Sequence, residues 1–204
     1  FWKNTSKRLF LLYEFLKQYN VKESFHIEND VLLYTDTKNI IFNEEKIYLT
    51  MDSNERCIPG IVYVPNHTYL DKLIKNYNFK ENHMVNLGNF FNNNKDLCDT
   101  FPIIKKNNLY DKEDIFNKNY EKFKGIFDGA AIGQFLGGVD PRNIQGDTTG
   151  FINETCVVDY SKYKIIWEKN EPYIIIDNVY VKIFNLHIHC KNLEKFIQNN
   201  LKTK

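Results

Sequence analysis

The sequence lacks several patterns that would assign a protein to a class at once. Its four cysteines, Cys57, Cys98, Cys156 and Cys190, lie far apart and form no CxxC pair, which argues against a zinc knuckle and against a disulfide framework. No apolar run approaches the roughly 18 residues of a membrane span, and no signal-peptide pattern opens the chain. We therefore expect a cytoplasmic protein without an integral membrane segment.

An excess of charge of one sign is also missing. The 204 residues include 27 Lys and Arg against 26 Asp and Glu, which gives a formal net charge of +1. Because no strong field would draw the protein to nucleic acid or to anionic lipid, we expect neither as a partner. Hydrophobic residues make up 43% of the chain and aromatic residues 15%, which is enough for a folded core. Without an internal repeat or a linker, we expect one domain over residues 1–204.

Hydrophobic periodicity predicts helices mixed with strands, and therefore an α/β fold class. The predicted helices begin at Thr5 and at Asn66 or Thr68, and cover 81–91, 128–136 and 192–201. The predicted strands cover 24–28, 47–51, 61–64, 101–104, 155–158, 163–167, 173–176 and 180–189. Pro59-Gly60 has the composition of a turn, and residues 139–150 that of an irregular loop.

The first chemical signal is the segment HIEND at the end of a predicted strand. Alternate side chains of a strand share a face, so His26, Glu28 and Asp30 would point together. Carboxylates that converge in this way suit Mg²⁺ or Mn²⁺, often beside substrate phosphates. The alternative is a solvated strand end at which Glu28 and Asp30 only meet water.

The second signal is NLHIHCK near the end of the chain. The period of two places Asn185, His187 and His189 on one face of a predicted strand, where the two imidazoles would be able to hold one metal ion. Lys191 follows and is a candidate for contact with a phosphate. The alternative is a pair of surface histidines with satisfied hydrogen bonds and a solvated lysine.

The third signal is the run DGAAIGQFLGGVDPRN, in which small residues allow another backbone or a ligand to approach a helix closely. Asp128 stands at the start of this predicted helix, where a carboxylate also serves as an ordinary cap. Gln134 lies roughly on the opposite side of the helix. Arg142 follows in a Gly-rich loop and either clamps a substrate or merely pairs with Asp140.

Taken in order, HIENDV, DGAAIGQFLGGVDPRN, GFINE and NLHIHCKNLEKF resemble a family of GT-A-type glycosyltransferases found among microbial and viral proteins. The resemblance extends from Trp2 to Phe196. It implies a GT-A-like mixed sheet with flanking helices. It also implies transfer of a sugar from a nucleotide-diphosphate donor, a UDP-sugar foremost, to a hydroxyl of a carbohydrate or protein acceptor. The expected cofactor is Mn²⁺ or Mg²⁺ on the diphosphate.

The resemblance also implies roles for individual residues. Glu28 and Asp30 stand where the family has its acidic DxD-type motif, with Glu28 towards the donor and Asp30 on the metal. His187 or His189 would supply a further metal ligand. Asp128 would be the catalytic residue, either as the base of an inverting enzyme or as a stabiliser of the cationic sugar in a retaining one. The remaining predicted substrate-binding residues are Gln134, Asp140, Arg142, Asn143 and Lys191.

The start of the chain departs from the family pattern. GT-A folds begin with a βαβ nucleotide-binding unit of roughly 30 or more residues, whereas here a predicted helix leads to the acidic motif by residue 28. We therefore expect the chain to be the C-terminal two-thirds of such a fold, truncated at its N-terminus. Two alternatives remain: a metal-dependent phosphohydrolase using His26, Asp30, His187 and His189, and a non-catalytic carbohydrate- or protein-binding domain.

Overall fold

A computed structural model describes residues 2–40, 45–190 and 193–197. The fold is mixed α/β, with mixed sheets and flanking helices, as the sequence predicts for its general class. The α-helices are α1 (Trp2–Gln18), α2 (Asp71–Lys75), α3 (His83–Asn93), α4 (Tyr120–Phe123), α5 (Ile132–Phe135) and α6 (Glu194–Ile197). The strands are β1 (Ser24–Ile27), β2 (Val31–Leu33), β3 (Ile47–Met51), β4 (Cys57–Val64), β5 (Cys98–Thr100), β6 (Gly125–Ile126), β7 (Lys164–Glu168), β8 (Glu171–Ile176), β9 (Val179–Ile183) and β10 (Asn185–His187).

The first sheet has the strand order β1-β4-β3-β5, and it is buried along the whole of β3 and β4. β4 is antiparallel to both of its neighbours, while β3 and β5 are parallel. Pro59-Gly60, predicted as a turn, lies instead within β4. The register between β3 and β4 shifts after Tyr48, from Tyr63 to Ile58, and such an irregularity accommodates a proline that has no N–H to donate.

The second sheet has the order β6-β9-β8-β7, in which β7, β8 and β9 form an antiparallel meander. Two-residue turns connect these strands, and all four turn residues have positive φ: Lys169, Asn170, Asp177 and Asn178. Turns with two positive φ angles match the right-handed twist of a hairpin, and Asn and Asp tolerate this conformation well. β7, β8 and β9 confirm the strands predicted at 163–167, at 173–176 and at the start of 180–189, whereas β6, which pairs in parallel with β9, was not predicted.

The predicted final strand over 180–189 is two strands that belong to different sheets. The chain leaves β9 at Phe184, whose N–H donates to Ile126 and whose carbonyl accepts from Tyr34. It then forms β10, which pairs antiparallel with the unpredicted strand β2 and sets Val31 opposite His187. This short ribbon carries the candidate site.

Other predicted elements need correction. The strand expected at 101–104 lies too late in the sequence: β5 ends at Thr100, and after the N–H of Phe101, which donates to Leu49, those of Ile103 and Ile104 donate to Phe116 across a loop. Residues 155–158 form no strand; Asn153 closes a turn by accepting from the N–H of Thr155. The helix expected over 128–136 is confined to α5, because Ala130 has a positive φ of 58°. The final predicted helix is described only over α6, since its other residues lie outside the described ranges.

Candidate metal centre and its cavity

Asp30 reaches the site through a tight turn between β1 and β2. β1 ends at Ile27, the N–H of Val31 donates to the carbonyl of Glu28, and the chain enters β2 directly afterwards. The carbonyl of Asp30 then accepts the N–H of Ile188 at 2.8 Å. The turn and the β2–β10 pairing therefore bring Asp30 against a segment 157 residues further along the chain.

Asp30, His187 and His189 form a cluster with the composition of a metal site. One ligand atom from each residue lies within 4.8 Å of the others. The Nε2 atom of His187 is 3.3 Å from Asp30 Oδ1, and the Nε2 atom of His189 is 4.0 Å from Asp30 Oδ2. These three residues are the ones that the sequence predicts as metal ligands. Two imidazoles and one carboxylate are a ligand set typical of first-row transition ions, whereas Mg²⁺ prefers oxygen ligands.

The surroundings of each imidazole direct Nε2 into the cluster. His187 Nδ1 faces Gly60, where a Cβ would lie only 2.7 Å away. His189 Nδ1 lies 3.2 Å from the side-chain amide of Gln134. Metal-binding histidines commonly use their second ring nitrogen in an outer contact such as that of His189, which fixes the ring orientation, whereas His187 Nδ1 is buried without a hydrogen-bond partner. Gln134, predicted to bind substrate, therefore contacts a predicted metal ligand directly.

Glu28 adds a second carboxylate at the Nε2 atom of His187, the nitrogen that also faces Asp30. Its carboxylate forms an ion pair with Arg8 from α1, and its Oε2 lies 3.2 Å from His187 Nε2. The side chain of Glu28 is 9% exposed, and burial raises its pKa, with partial opposition from His187 and Arg8. His26 does not join this group, because the strand period is broken after Ile27.

The electrostatics of the cluster favour a cation between its carboxylates. Burial by itself lowers the pKa of His187, but the hydrogen bond with Asp30 and the charges of Glu28 and Asp30 outweigh it and raise this pKa. Burial opposes the ionised form of Asp30 as well, yet the contact with His187 keeps the pKa of Asp30 below its usual value. Burial and the neighbouring His187 lower the pKa of His189. A proton on His187 thus occupies the place that a metal ion would take, and metal binding releases such protons.

Asp128 lies beneath the cluster and not at its surface. The residue is 1% exposed. Its Oδ1 accepts the N–H groups of Ala131 and Ile132, and its Oδ2 accepts those of Gly133 and His187, at 2.8–2.9 Å. It does not line the cavity described next. Four backbone donors therefore occupy its carboxylate, which ties the start of α5 to the strand that carries His187.

A cavity of about 590 Å³ opens over the cluster. Every residue predicted to bind substrate or metal lines it, apart from Lys191, which lies outside the described residues. In the loop that follows α5, the backbone N–H of Asn143 donates to the carbonyl of Asp140, and the Nε of Arg142 lies 2.9 Å from Asp140 Oδ2. Both alternatives for Arg142 are thus compatible with its position, since it pairs with Asp140 and also faces the cavity.

Among the cavity residues that sequence reasoning missed are two arginines, Arg8 and Arg56. Arg8 reaches it from α1 and Arg56 from the turn between β3 and β4. The signal that would have found them is their rarity, because the chain has only three arginines among its 27 basic residues. Phe151, in the GFINE segment, also lines the cavity.

The sequence predictions about disulfides and membrane-spanning segments can also be compared with the structure. All four cysteines are free thiols, three of them buried, so no disulfide braces the described chain. Among the described helices, none combines the length and the apolar character needed to cross a bilayer.

No family model, no curated protein and no solved structure matches this chain.

Proposed function

We propose that this chain is the metal-binding, catalytic part of a glycosyltransferase that uses a nucleotide-diphosphate sugar. The observation that supports this most is the convergence of Asp30 with His187 and His189 at the floor of one cavity. The order of the motifs, an acidic turn first and a His-x-His segment last, is the order of the GT-A-type family that the sequence resembles. The proposed domain extends over residues 1–204, and its proposed location is the cytoplasm.

The ligand set favours Mn²⁺ as the cofactor, since two imidazoles suit a transition ion better than Mg²⁺. Asp30, His187 and His189 would hold the ion through one carboxylate oxygen and two Nε2 atoms. When bound, such an ion supplies charge stabilisation to the departing diphosphate. Gln134 would keep the ring of His189 in place through its contact with Nδ1. Glu28 lies at the metal-facing Nε2 of His187 and would stand beside the ion as a further carboxylate.

The cavity walls supply further polar groups to the substrates. Asp140 fixes the side chain of Arg142 at the cavity, where the cation would face donor phosphates. Asn143 and Phe151 line the same space, and an aromatic ring beside polar groups suits a sugar.

The geometry does not support Asp128 as the catalytic residue. A general base must come within hydrogen-bonding reach of the hydroxyl that it deprotonates, whereas the carboxylate of Asp128 is buried and occupied by four backbone N–H groups. We instead propose that Asp128 positions His187. The choice between inversion and retention is therefore left to product analysis.

Nucleotide-dependent stabilisation tests the proposal. We expect UDP together with Mn²⁺ to raise the melting temperature. Ligand at about 100 times its dissociation constant stabilises a native state by about 2.7 kcal/mol, which corresponds to roughly 5–11 °C for a chain of this size. GDP and Mg²⁺ serve as comparisons. The shift should disappear in Asp30→Ala and persist in Asp147→Ala, which removes an exposed carboxylate outside the cavity lining.

Three outcomes would contradict the proposal. A nucleotide shift that ignores both Mn²⁺ and Asp30→Ala would separate the nucleotide from the metal centre. Stabilisation by metal alone, with phosphoester hydrolysis and no sugar transfer, would favour the phosphohydrolase. The structure gives that alternative little support, because His26 does not line the cavity. A non-catalytic carbohydrate- or protein-binding domain would bind its ligand equally well after Asp30→Ala.

A further inference from the structure

The arginines of this chain are distributed unlike its lysines. The sequence has three arginines, Arg8, Arg56 and Arg142, among 27 basic residues. All three line the cavity, whereas no lysine in the described part of the chain does so. A guanidinium is a planar fork that matches the two oxygens of a phosphate or a carboxylate, and an ammonium is not. The cavity thus carries the cation type that is suited to oxyanions.

The three arginines differ in how they are anchored. Arg142 approaches Asp140 with both Nε and Nη2, so its fork already faces a carboxylate. Arg8 contacts Glu28 through Nη1, and Arg56 contacts Asp52 through Nη2 at 2.7 Å. An arginine has five N–H donors. Anchoring through one terminal nitrogen therefore fixes each of these two side chains and leaves donors for a ligand.

The anchor of Arg56 is costly to the fold. The side chain of Asp52 is fully buried, and burial raises its pKa to about 6 despite the opposing contact with Arg56. A buried carboxylate destabilises a protein unless it is paired. Pairing with Arg56 offsets only part of this cost, since the pKa of Asp52 stays raised, and the turn between β3 and β4 bears the remainder while presenting Arg56 to the cavity.

Arg8 and Arg56 flank the same helix. Both arginines line the cavity together with His83 at the start of α3, and burial, with a contribution from the charge of Arg8, lowers the pKa of His83 to about 4. The turn that carries Arg56 packs directly on α3, because a Cβ at Gly88 would lie 2.0 Å from the carbonyl oxygen of Glu55 and 3.0 Å from the backbone nitrogen of Arg56. Both arginines thus belong to the side of the cavity formed around α1 and α3. We call this pair the arginine wall.

We propose that the arginine wall binds an oxyanion of the acceptor, so that the transferase acts on acceptors that carry a phosphate or a carboxylate group. This rests on the proposed function, in which the donor diphosphate lies on the metal centre beside Arg142. The diphosphate is the other possible source of an oxyanion, and the experiment separates the two.

The test measures binding of inorganic phosphate by calorimetric titration in EDTA, at constant ionic strength with chloride as the control anion. We expect phosphate to bind the wild-type protein whether or not chloride is present. In Asp52→Asn/Arg56→Gln, which removes the fork without stranding a buried charge, binding should be at least about ten-fold weaker, as expected for the loss of a hydrogen bond to a charged group. Arg8→Lys, which keeps the charge and loses the fork, should also bind more weakly. Lys75→Gln is the matched control, because it removes an exposed cation outside the cavity lining, and it should bind phosphate normally.

A second titration adds saturating UDP and Mn²⁺, and phosphate affinity should stay unchanged. Competition between them would assign the oxyanion to the donor and overturn the acceptor assignment. Absence of phosphate binding, or equal binding by a folded double variant, would overturn the arginine wall itself. If phosphate binds through the wall but UDP and Mn²⁺ do not bind, the transferase is rejected, and the acceptor assignment with it, while the anion site remains.

Discussion

Substitution of Asp128 by asparagine distinguishes a positioning role from a catalytic one. Each carboxylate oxygen accepts two backbone N–H groups, from Ala131 and Ile132 on one side and from Gly133 and His187 on the other. Asparagine keeps one of these oxygens but turns an NH₂ group towards the other two donors. We therefore expect Asp128→Asn to destabilise the fold and to weaken metal binding through His187.

The magnitude follows from the two hydrogen bonds that are lost. A hydrogen bond to a charged group contributes about 1.5–3 kcal/mol, so the pair contributes about 3–6 kcal/mol. At about 2–4 °C per kcal/mol for a chain of this length, the melting temperature should fall by roughly 6–24 °C. Because whole domains are stable by only about 5–15 kcal/mol, the variant should still fold, but only marginally.

Differential scanning calorimetry, with Mn²⁺ titration on the folded variant, measures both effects. The matched control is Asp159→Asn, because Asp159 caps a 3₁₀-helix over Tyr160–Lys162 by accepting the N–H of Ser161, and asparagine caps as well as aspartate. Its melting temperature should stay close to that of the wild type. If Asp128→Asn has the melting temperature and the Mn²⁺ affinity of the wild type but loses turnover, then Asp128 acts as a base and our reasoning fails.

Three further predictions concern the site and its surroundings. Gly133→Ala should lower both stability and Mn²⁺ affinity, because its Cβ would collide with the backbone of β10, whereas Gly129→Ala meets only ordinary contacts and is the control. Gln134→Leu should weaken Mn²⁺ binding about 10–100-fold, since outer contacts orient metal-binding imidazoles such as His189. Burial lowers the pKa of His26 to about 4, so the unfolded chain protonates this imidazole at a higher pH than the folded chain does. As the pH is lowered from 6.5 to 4, the free energy of unfolding should therefore fall, by about 1.4 kcal/mol per pH unit at most.

These predictions have separate readouts. Normal Mn²⁺ affinity in a stable Gly133→Ala protein would show that β10 tolerates displacement. Unchanged Mn²⁺ affinity in Gln134→Leu would remove Gln134 from the outer shell. For the pH prediction, the free energy of unfolding is measured by urea unfolding between pH 6.5 and 4. It should change less with pH in His26→Gln than in the wild type, and equal changes in the two proteins would contradict the prediction.

The sequence by itself determined the elements whose signals are local. α1, β3 and the β7–β8–β9 meander follow from apolar periodicity and from turn residues that accept positive φ, and neither property needs distant contacts. The residues Asp30, His187 and His189 were also predictable as candidates, because few side-chain types bind metals and they recur at short spacing.

Only the tertiary structure decided which candidates meet. Asp30 contacts His187 because β2 pairs with β10, and β2 is a three-residue strand too short for a periodic signal. The same ending of β1 after Ile27 that sends Asp30 into the cluster leaves His26 out of it. The sequence left two roles open for Asp128, that of a helix cap and that of a catalytic base. Only the four backbone donors around its carboxylate distinguish them. Such contacts join segments tens to hundreds of residues apart, and the sequence pattern along one segment contains no information about what packs against it.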